Sequence, residues 1–221
     1  MEMKINKVVN NNDNSIVRYE DNVFLFYDIH NMSKVIDTKT FIEETSDSII
    51  PNLKNNSNNI GTIMKDMIDM YKTKHKVPYL KQEDIPSASL AIIRLANKSD
   101  ILDLMTVGTN TIFLEYTNGN TRNIFYKTKI DKNNIELQNL STMDGYETAT
   151  LIKRNFFVAK YIRARIKEVK RIHVLSQEYS NLYHNISDKE VEYKYVDYKH
   201  LLKEKNKPSL QNGFYYTIDV N

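Results

Sequence analysis

The sequence contains no cysteine. This absence excludes disulfide bonds, thiolate nucleophiles and zinc sites built on cysteine. A metal ion bound by this chain must therefore use oxygen or imidazole ligands. Imidazole has little support, and a zinc enzyme is not indicated, because no close ligand spacing relates the five histidines, which are His30, His75, His173, His184 and His200.

Long apolar runs are also missing. No stretch approaches the roughly 18 apolar residues that a membrane-spanning helix needs. Residues 1–9 are too short and too charged for a secretory signal. We therefore expect a cytoplasmic protein without membrane contact.

Glycine is scarce, and none of the five glycines is paired at the spacing of a phosphate-binding loop. Nucleotide-driven chemistry is therefore not indicated. The chain does have 221 residues and 41% hydrophobic content, enough to form a core. We expect a single globular domain over residues 1–221. The formal net charge of +3 is too small to identify a partner.

The order of local patterns predicts a mixed α and β chain. Two short strands, SIVRY and VFLFYD, form a hairpin over residues 15–28. Apolar residues at helical spacing then predict two helices, over residues 41–53 and 60–71. Four strand patterns follow, SLAIIRL, ILDLMTV, TIFLEYT and NTRNIFYKT, and predict an antiparallel meander. Asparagine-rich runs at residues 10–14 and 55–59 predict loops.

A basic segment follows the meander. Residues 153–173, KRNFFVAKYIRARIKEVKRIH, contain eight lysines or arginines and one glutamate. Apolar positions three and four residues apart predict that about 147–185 is helical, with His173 as a structural histidine on its apolar face. Such a charge run is most often a solvated face. An acidic protein partner is the first alternative, and nucleic acid is the least favoured, because no RNA-recognition pattern accompanies the charges.

Two stretches resemble a known family. PSASLAIIRL (residues 86–95), followed by MTVGTNTIFLEYTNGNT (residues 105–121), resembles the centre of bacterial PP2C-type (PPM family) protein phosphatases. NNNDNSIVRYEDNVFLFYDIHNMS (residues 10–33) is similar to their opening hairpin. The resemblance implies an α+β fold in which two mainly antiparallel β-sheets form a sandwich flanked by α-helices. It also implies metal-dependent dephosphorylation of serine and threonine in phosphoproteins.

The same resemblance implies a metal site. Asp13 and Asp28 match the acids that hold a binuclear Mn²⁺ or Mg²⁺ centre in the family. Hard divalent ions prefer carboxylate oxygen, and a metal-activated water attacks phosphorus without a side-chain nucleophile. That chemistry is compatible with a chain that lacks cysteine.

Several motifs depart from the family. Ile29 stands where the family has glycine after the acid, and Gly108-Thr109-Asn110 replaces Gly-Asp-Ser. No upstream arginine matches the one that grips phosphate. LLKEKNKPSLQNGFYYTID (residues 201–219) resembles a region after which the family continues to a further metal-binding strand. Asp144, in an Asp-Gly pair, is a candidate for that missing ligand.

These departures predict weak or no activity. We expect a degenerate phosphatase whose substrate, if it is active, is a phosphoprotein. The alternative is a pseudophosphatase that keeps the fold and binds a regulatory protein partner. A nucleic-acid-binding protein that uses the basic segment is the third possibility.

Overall fold

The computed structural model describes twelve stretches of the chain, namely residues 3–10, 15–31, 34–55, 60–76, 79–81, 84, 86–96, 100–107, 110–123, 159–176, 178–179 and 213–221. Within them are two α-helices, α1 (Thr38–Asn55) and α2 (Ile60–Lys74), and ten strands. The strands are β1 (Met3–Asn10), β2 (Ser15–Glu20), β3 (Val23–Asn31), β4 (Ser87–Leu95), β5 (Ile101–Val107), β6 (Thr111–Tyr116), β7 (Thr121–Asn123), β8 (Ala159–Arg165), β9 (Val169–Leu175) and β10 (Phe214–Val220).

The strands form two five-stranded sheets. Sheet I has the order β2-β3-β4-β5-β8, and sheet II has the order β1-β10-β9-β6-β7. Every neighbouring pair in both sheets is antiparallel. This arrangement confirms the predicted pair of mainly antiparallel sheets.

The outer face of sheet I is covered by the predicted helix pair. Helix α1 begins after Asp37, whose Oδ2 accepts a hydrogen bond from the backbone N–H of Thr40 at 3.0 Å, an N-cap interaction. The apolar stripes of both helices pack against alternate residues of β3 and β4, including Leu25, Tyr27 and Ile92. Neither helix in the described residues is long and apolar enough to cross a membrane.

The two sheets pack face to face through a second apolar core. Alternation along each strand sends Phe24 and Phe26 of β3 into this core from sheet I. Sheet II contributes a matching set from β6, β9 and β10, namely Ile112, Leu114, Ile172, Val174, Phe214 and Ile218. The sandwich predicted from the sequence is therefore confirmed, with helices outside sheet I.

The predicted four-strand meander is wrong. Strands β4 and β5 pair with each other in sheet I, whereas β6 and β7 pair in sheet II. Consecutive strands β5 and β6 therefore lie in different sheets. Local alternation is the same in both cases, so the sequence pattern does not reveal to which sheet a strand belongs.

The helix predicted over about 147–185 is wrong for residues 159–175. Residues 159–165 and 169–175 are strands β8 and β9, joined by a short 3₁₀ turn at Ile166–Glu168. β-branched residues favour strands here, and two of them, Ile172 and Val174, face the inter-sheet core. Residues 147–158, 177 and 180–185 of that segment lie outside the described residues.

The first and last strands lie side by side. β10 lies between β1 and β9, with Met3 opposite Val220 and Tyr215 opposite Leu175. Neither β1 nor β10 was predicted from the sequence. Sheet II is thus completed by strands from the two ends of the described chain.

Candidate functional site

Asp28 lies near the end of β3, on the face that points between the sheets. It alternates with Phe24 and Phe26, which belong to the inter-sheet core. Only 4% of its surface is exposed. Asp28 is therefore a buried acid within the sandwich.

Small hydroxyl residues flank Asp28 within sheet I. Ser15 of β2 lies opposite it on one side and Ser89 of β4 on the other. Both serines are buried. The Ser-Ala-Ser sequence that opens β4 therefore places one small side chain, that of Ser89, next to Asp28 in the sheet.

A second carboxylate, that of Glu178, lies near enough to Asp28 to raise its pKa. Glu178 follows β9 and is held by Ser176, whose hydroxyl donates to Glu178 Oε2 at 2.6 Å. The same hydroxyl accepts a hydrogen bond from the backbone N–H of Phe214 at 3.1 Å. Phe214 in turn stacks on Phe26 of β3, with 6.5 Å between ring centroids. A continuous set of contacts thus joins Glu178 to the strand that carries Asp28.

The electrostatics of Asp28 reflect this position. Burial raises its pKa from the ordinary 3.8 to about 8, and the nearby Glu178 carboxylate adds to the rise by repulsion. Without a bound cation, the carboxyl group of Asp28 is mainly protonated at neutral pH. A divalent cation would favour its ionised form, because opposite charge stabilises a buried carboxylate.

Asn110 supplies a third oxygen at the same interface. It precedes β6, shares the inward face of Ile112 and Leu114, and is 4% exposed. Its Nδ2 donates to the backbone carbonyl of Phe26 at 3.2 Å, two residues before Asp28. Its Oδ1 has no hydrogen-bond partner among the described residues. A buried acceptor in this state is costly unless a ligand satisfies it.

Of the residues proposed from the sequence, the structure describes Asp28 alone. Asp13 and Asp144 lie outside the described residues, so the predicted approach of Asp13 to Asp28 remains a prediction. Glu178 and Asn110 were not proposed as ligands. Asn110 stood in a motif already recognised, Gly108-Thr109-Asn110, whereas Glu178 lay in the segment predicted to be helical.

Asp28, Glu178 and Asn110 carry the kinds of oxygen that hard divalent ions accept. Two carboxylates and an amide oxygen are ligands that Mn²⁺ and Mg²⁺ accept. The two carboxylates balance the charge of one divalent ion, whereas a binuclear centre carries four positive charges. The described part of the chain contains no group of three or more histidine, aspartate or glutamate side chains that could hold a metal. These residues therefore do not by themselves make up a binuclear centre.

A separate polar cluster lies on the outer face of sheet II. Nδ1 of His173 is 2.6 Å from the Tyr215 hydroxyl, and Nε2 is 3.1 Å from Glu115 Oε2. Burial lowers the pKa of His173, and hydrogen bonds from His173 and Lys170 hold the pKa of Glu115 near 2. His173 is thus a satisfied, buried histidine, as expected, although it lies on a strand.

The basic segment is partly neutralised by local ion pairs. Four of its cations contact carboxylates, in the pairs Arg163–Asp103, Lys167–Asp100, Lys170–Glu115 and Arg171–Asp219. Charges already paired within the protein attract phosphates less strongly than free charges. This pairing favours the solvated-face interpretation over nucleic-acid binding.

Comparison by sequence gives no match, either to a protein-family profile or to a curated protein. Solved structures do match over nearly the whole chain. Serine/threonine phosphatase Stp1 from Staphylococcus aureus superposes with a TM-score of 0.57 and 9% identity, covering 100% of this chain and 94% of that one. PppA, described as a key regulatory component of T6SS in Pseudomonas aeruginosa, gives 0.56 and 8%, covering 98% and 96%.

A third structure is the catalytic domain of the serine/threonine protein phosphatase PstP in complex with two manganese ions. It superposes with a TM-score of 0.51 and 9% identity, covering 98% of this chain and 96% of that one. At such identities the likeness concerns the fold. The chain has the α+β sandwich of PP2C-type phosphatases, as its sequence motifs implied.

Proposed function

We propose that residues 1–221 form a single, divergent PP2C-type domain whose cation site centres on Asp28, and whose phosphatase activity is weak or undetectable. The observation that carries this proposal is a buried acid at the end of the sandwich, with a second carboxylate, Glu178, near enough to raise its pKa. Burying an acid without a cation opposes folding. A cation-binding role explains why the fold contains one.

Asp28, with Asp13 as predicted from the sequence, would hold Mn²⁺ or Mg²⁺. A bound ion would supply a water of lowered pKa and polarise a phosphoryl oxygen. The protein's own part is to keep Asp28 inside the sandwich, with the small residues Ser15 and Ser89 as its neighbours in the sheet. Asn110 fixes the neighbouring segment of β3 through its hydrogen bond to Phe26.

Weak turnover follows from the motifs that differ from the family. Thr109 stands where the family has an acid, and no upstream arginine is available to stabilise charge on the phosphoryl group. Removing one preorganised donor costs roughly 10²- to 10³-fold in rate, so several such losses leave little catalysis. A phosphoprotein is the expected substrate of any remaining activity.

The alternative is a binding module. A pseudophosphatase would keep the sandwich and use it to bind a regulatory protein partner in the cytoplasm. The structural likeness to PppA, which is described as a regulatory component, is compatible with this role. The two functions differ in one measurement, the turnover of a phosphomonoester.

Hydrolysis of p-nitrophenyl phosphate, with and without Mn²⁺, tests the proposal. We expect a Mn²⁺-dependent rate that is low or undetectable, and any rate that is measured should be lost in Asp28→Ala. Asp66→Ala, which removes an exposed aspartate on α2, is the matched control and should leave the rate unchanged. Robust Mn²⁺-dependent turnover that survives Asp28→Ala would show that the assignment of the site is wrong.

A further inference from the structure

We infer that the edge of β8 that faces away from β5, the β8 edge, binds an extended acidic segment of a partner protein. The segment adds to sheet I as a further antiparallel strand. This inference goes beyond the proposed phosphatase site, and it depends neither on a bound cation nor on turnover. It gives the basic segment of the sequence a partner of defined shape and charge.

The β8 edge lies at one border of sheet I. Strand β8 is the last in the order β2-β3-β4-β5-β8, and β5 is the only strand of the described residues that pairs with it. The side chain of Arg163 is 58% exposed, and Arg165 is exposed as well. A strand in this position presents backbone groups that can pair with another extended chain.

The backbone hydrogen bonds show which groups of β8 point toward this edge. The N–H of Ile166 donates to the carbonyl of Asp100, the residue before β5, at 2.8 Å. In an antiparallel ladder, residue pairs that exchange hydrogen bonds alternate with pairs that do not. Arg165 and Arg163 precede Ile166 by one and three positions, so they belong to the pairs that do not. Their N–H and C=O groups therefore point away from β5, toward the β8 edge.

The side chains of the same two arginines give the edge an excess of positive charge. Arg163 and Arg165 are two residues apart in a strand and so lie on one face of the sheet. Arg163 pairs with Asp103, but Asp103 also pairs with Arg94, so one carboxylate is shared by two guanidinium groups. Arg165 has no carboxylate partner among the described residues. An acidic chain is therefore attracted to this edge.

A second copy of β8 fits the edge poorly. Antiparallel pairing of two copies with Arg163 opposite Arg165 places like charges directly across from each other, which destabilises a sheet. Nucleic acid is attracted by the charge, but it has no series of N–H and C=O groups at the spacing of an extended peptide.

An acidic strand satisfies both the backbone and the charges. In antiparallel pairing, residues directly opposite Arg163 and Arg165 exchange hydrogen bonds with them and lie on the same face of the sheet. Two acidic residues at alternate positions are about 7 Å apart, which is also the spacing of the two arginines. The partner segment is thus expected to carry glutamate or aspartate at every second position.

Peptide binding to the purified full chain, followed by fluorescence anisotropy in EDTA, tests this inference. The probe is the fluorescein-labelled peptide TEVEVEVT. We expect saturable binding, and at least tenfold weaker binding of TKVKVKVT, which has the same pattern and the opposite charge. N-methylation of the three glutamates blocks the N–H groups that face β8 and should also weaken binding at least tenfold. N-methylation of the three valines, whose N–H groups face away, is the matched control and should change affinity little.

Variants at Arg165 separate its charge from its backbone donor. The φ of Arg165 is −78°, which proline also adopts, and its N–H is not used by β5. Arg165→Ala should weaken binding roughly two- to fivefold, and Arg165→Pro by a further two- to tenfold or so. Lys39→Ala, which removes an exposed cation on α1, should bind as the wild type does. Thermal unfolding checks that each variant is folded, and the N-methylated peptides make the same comparison without a variant.

Three results would overturn the inference. Equal affinity for the two N-methylated peptides would show that charge alone attracts the peptide. Tighter binding of an oligothymidylate than of TEVEVEVT would make the basic segment a nucleic-acid surface. The third is the absence of peptide binding at millimolar concentration. None of these results affects the cation site of the proposed function, because that site is tested by Mn²⁺-dependent hydrolysis and is empty of metal in EDTA.

Discussion

Asp28 places an ionisable group where water cannot stabilise its charge. Its pKa is about 8 in the folded protein and 3.8 as an ordinary aspartate. A group whose folded pKa is raised favours folding in its protonated form. The contribution of Asp28 to stability is therefore fully present below about pH 4, and is lost as the pH rises through about 8.

This dependence predicts that Asp28→Asn stabilises the protein at high pH. The amide stays neutral, so the variant should exceed the wild type by about 2–5 kcal/mol at pH 8 in EDTA, and by little at pH 4. Urea unfolding at the two pH values measures the difference. Asp66→Asn, at an exposed position, should show no such change. A variant less stable than the wild type at pH 8 would contradict the buried, cation-free state of Asp28.

Two glycines are required for different reasons. A Cβ added at Gly213 would lie 2.8 Å from Ser176 Oγ and 2.8 Å from the Tyr179 ring, whereas one at Gly119 would meet nothing within 4 Å. Gly119 instead has φ of +85°, in the left-handed region that favours glycine. The first glycine is kept by packing and the second by backbone conformation.

These reasons predict that asparagine destabilises the protein less than alanine at one glycine and more than alanine at the other. Gly119→Ala should cost about 1 kcal/mol, and Gly119→Asn less, because asparagine tolerates the left-handed region. Gly213→Ala should cost about 1–3 kcal/mol, and Gly213→Asn more, because the larger side chain overpacks the site. Chemical denaturation of the four variants distinguishes the two cases. If asparagine destabilises the protein less than alanine does at both positions, glycine at position 213 is not required by packing.

At the level of elements, a buried ion pair joins β4, β5 and α1. Arg94 is 5% exposed and pairs with the fully buried Asp103, and it also donates to the carbonyl of Leu53 in α1 at 3.3 Å. Arg163 of β8 reaches the other oxygen of Asp103 at 2.9 Å. Arg94, Asp103 and Arg163 thus link three strands of sheet I, and Arg94 links them to helix α1.

Removing one member of this pair should be more harmful than removing both. Arg94→Met removes the buried guanidinium that pairs with Asp103, and should cost about 3 kcal/mol. The double variant Arg94→Met, Asp103→Leu should recover much of that loss. Lys65→Met, which breaks an exposed pair with Asp69, should change stability by less than about 1 kcal/mol. Urea unfolding of the variants gives the comparison, and a double variant weaker than Arg94→Met alone would contradict it.

The sequence predicted those elements whose signal is local. The β2-β3 hairpin and both helices were found because their apolar spacing is complete within each segment. The helical interpretation of residues 159–175 failed because their partners, β5 and β10, are distant in sequence. Strands β1 and β10 were missed for the same reason, since each depends on the other for pairing.

The residues of the candidate site also differ in whether local sequence signals could predict them. Asp28 was found because it belongs to a motif within one hairpin. Glu178 lies 150 positions farther along the chain, and only the β6-β9 pairing brings it beside Asn110. No local spacing could have placed an acid after β9 near an acid on β3.

At the scale of the whole molecule, β10 holds sheet II together. It pairs with β1 on one side and β9 on the other, and it supplies Phe214, Tyr216 and Ile218 to the inter-sheet core. Deleting residues 214–221 should therefore abolish cooperative thermal unfolding, as followed by circular dichroism. Deleting Asn221 alone should leave the transition unchanged. A cooperative transition in the longer deletion would show that sheet II forms without its second strand.

The adjacency of β1 and β10 also determines when the protein can fold. Asn6 and Asp219, which share a side-chain hydrogen bond, are separated by 213 positions. At the usual rate of about 5–20 residues per second, β1 leaves the ribosome roughly 10–40 s before its partner is synthesised. Throughout that interval the inward face of sheet I, with Phe24 and Phe26, has no complete sheet to cover it. The nascent chain therefore offers chaperones an apolar surface until translation of β10 ends.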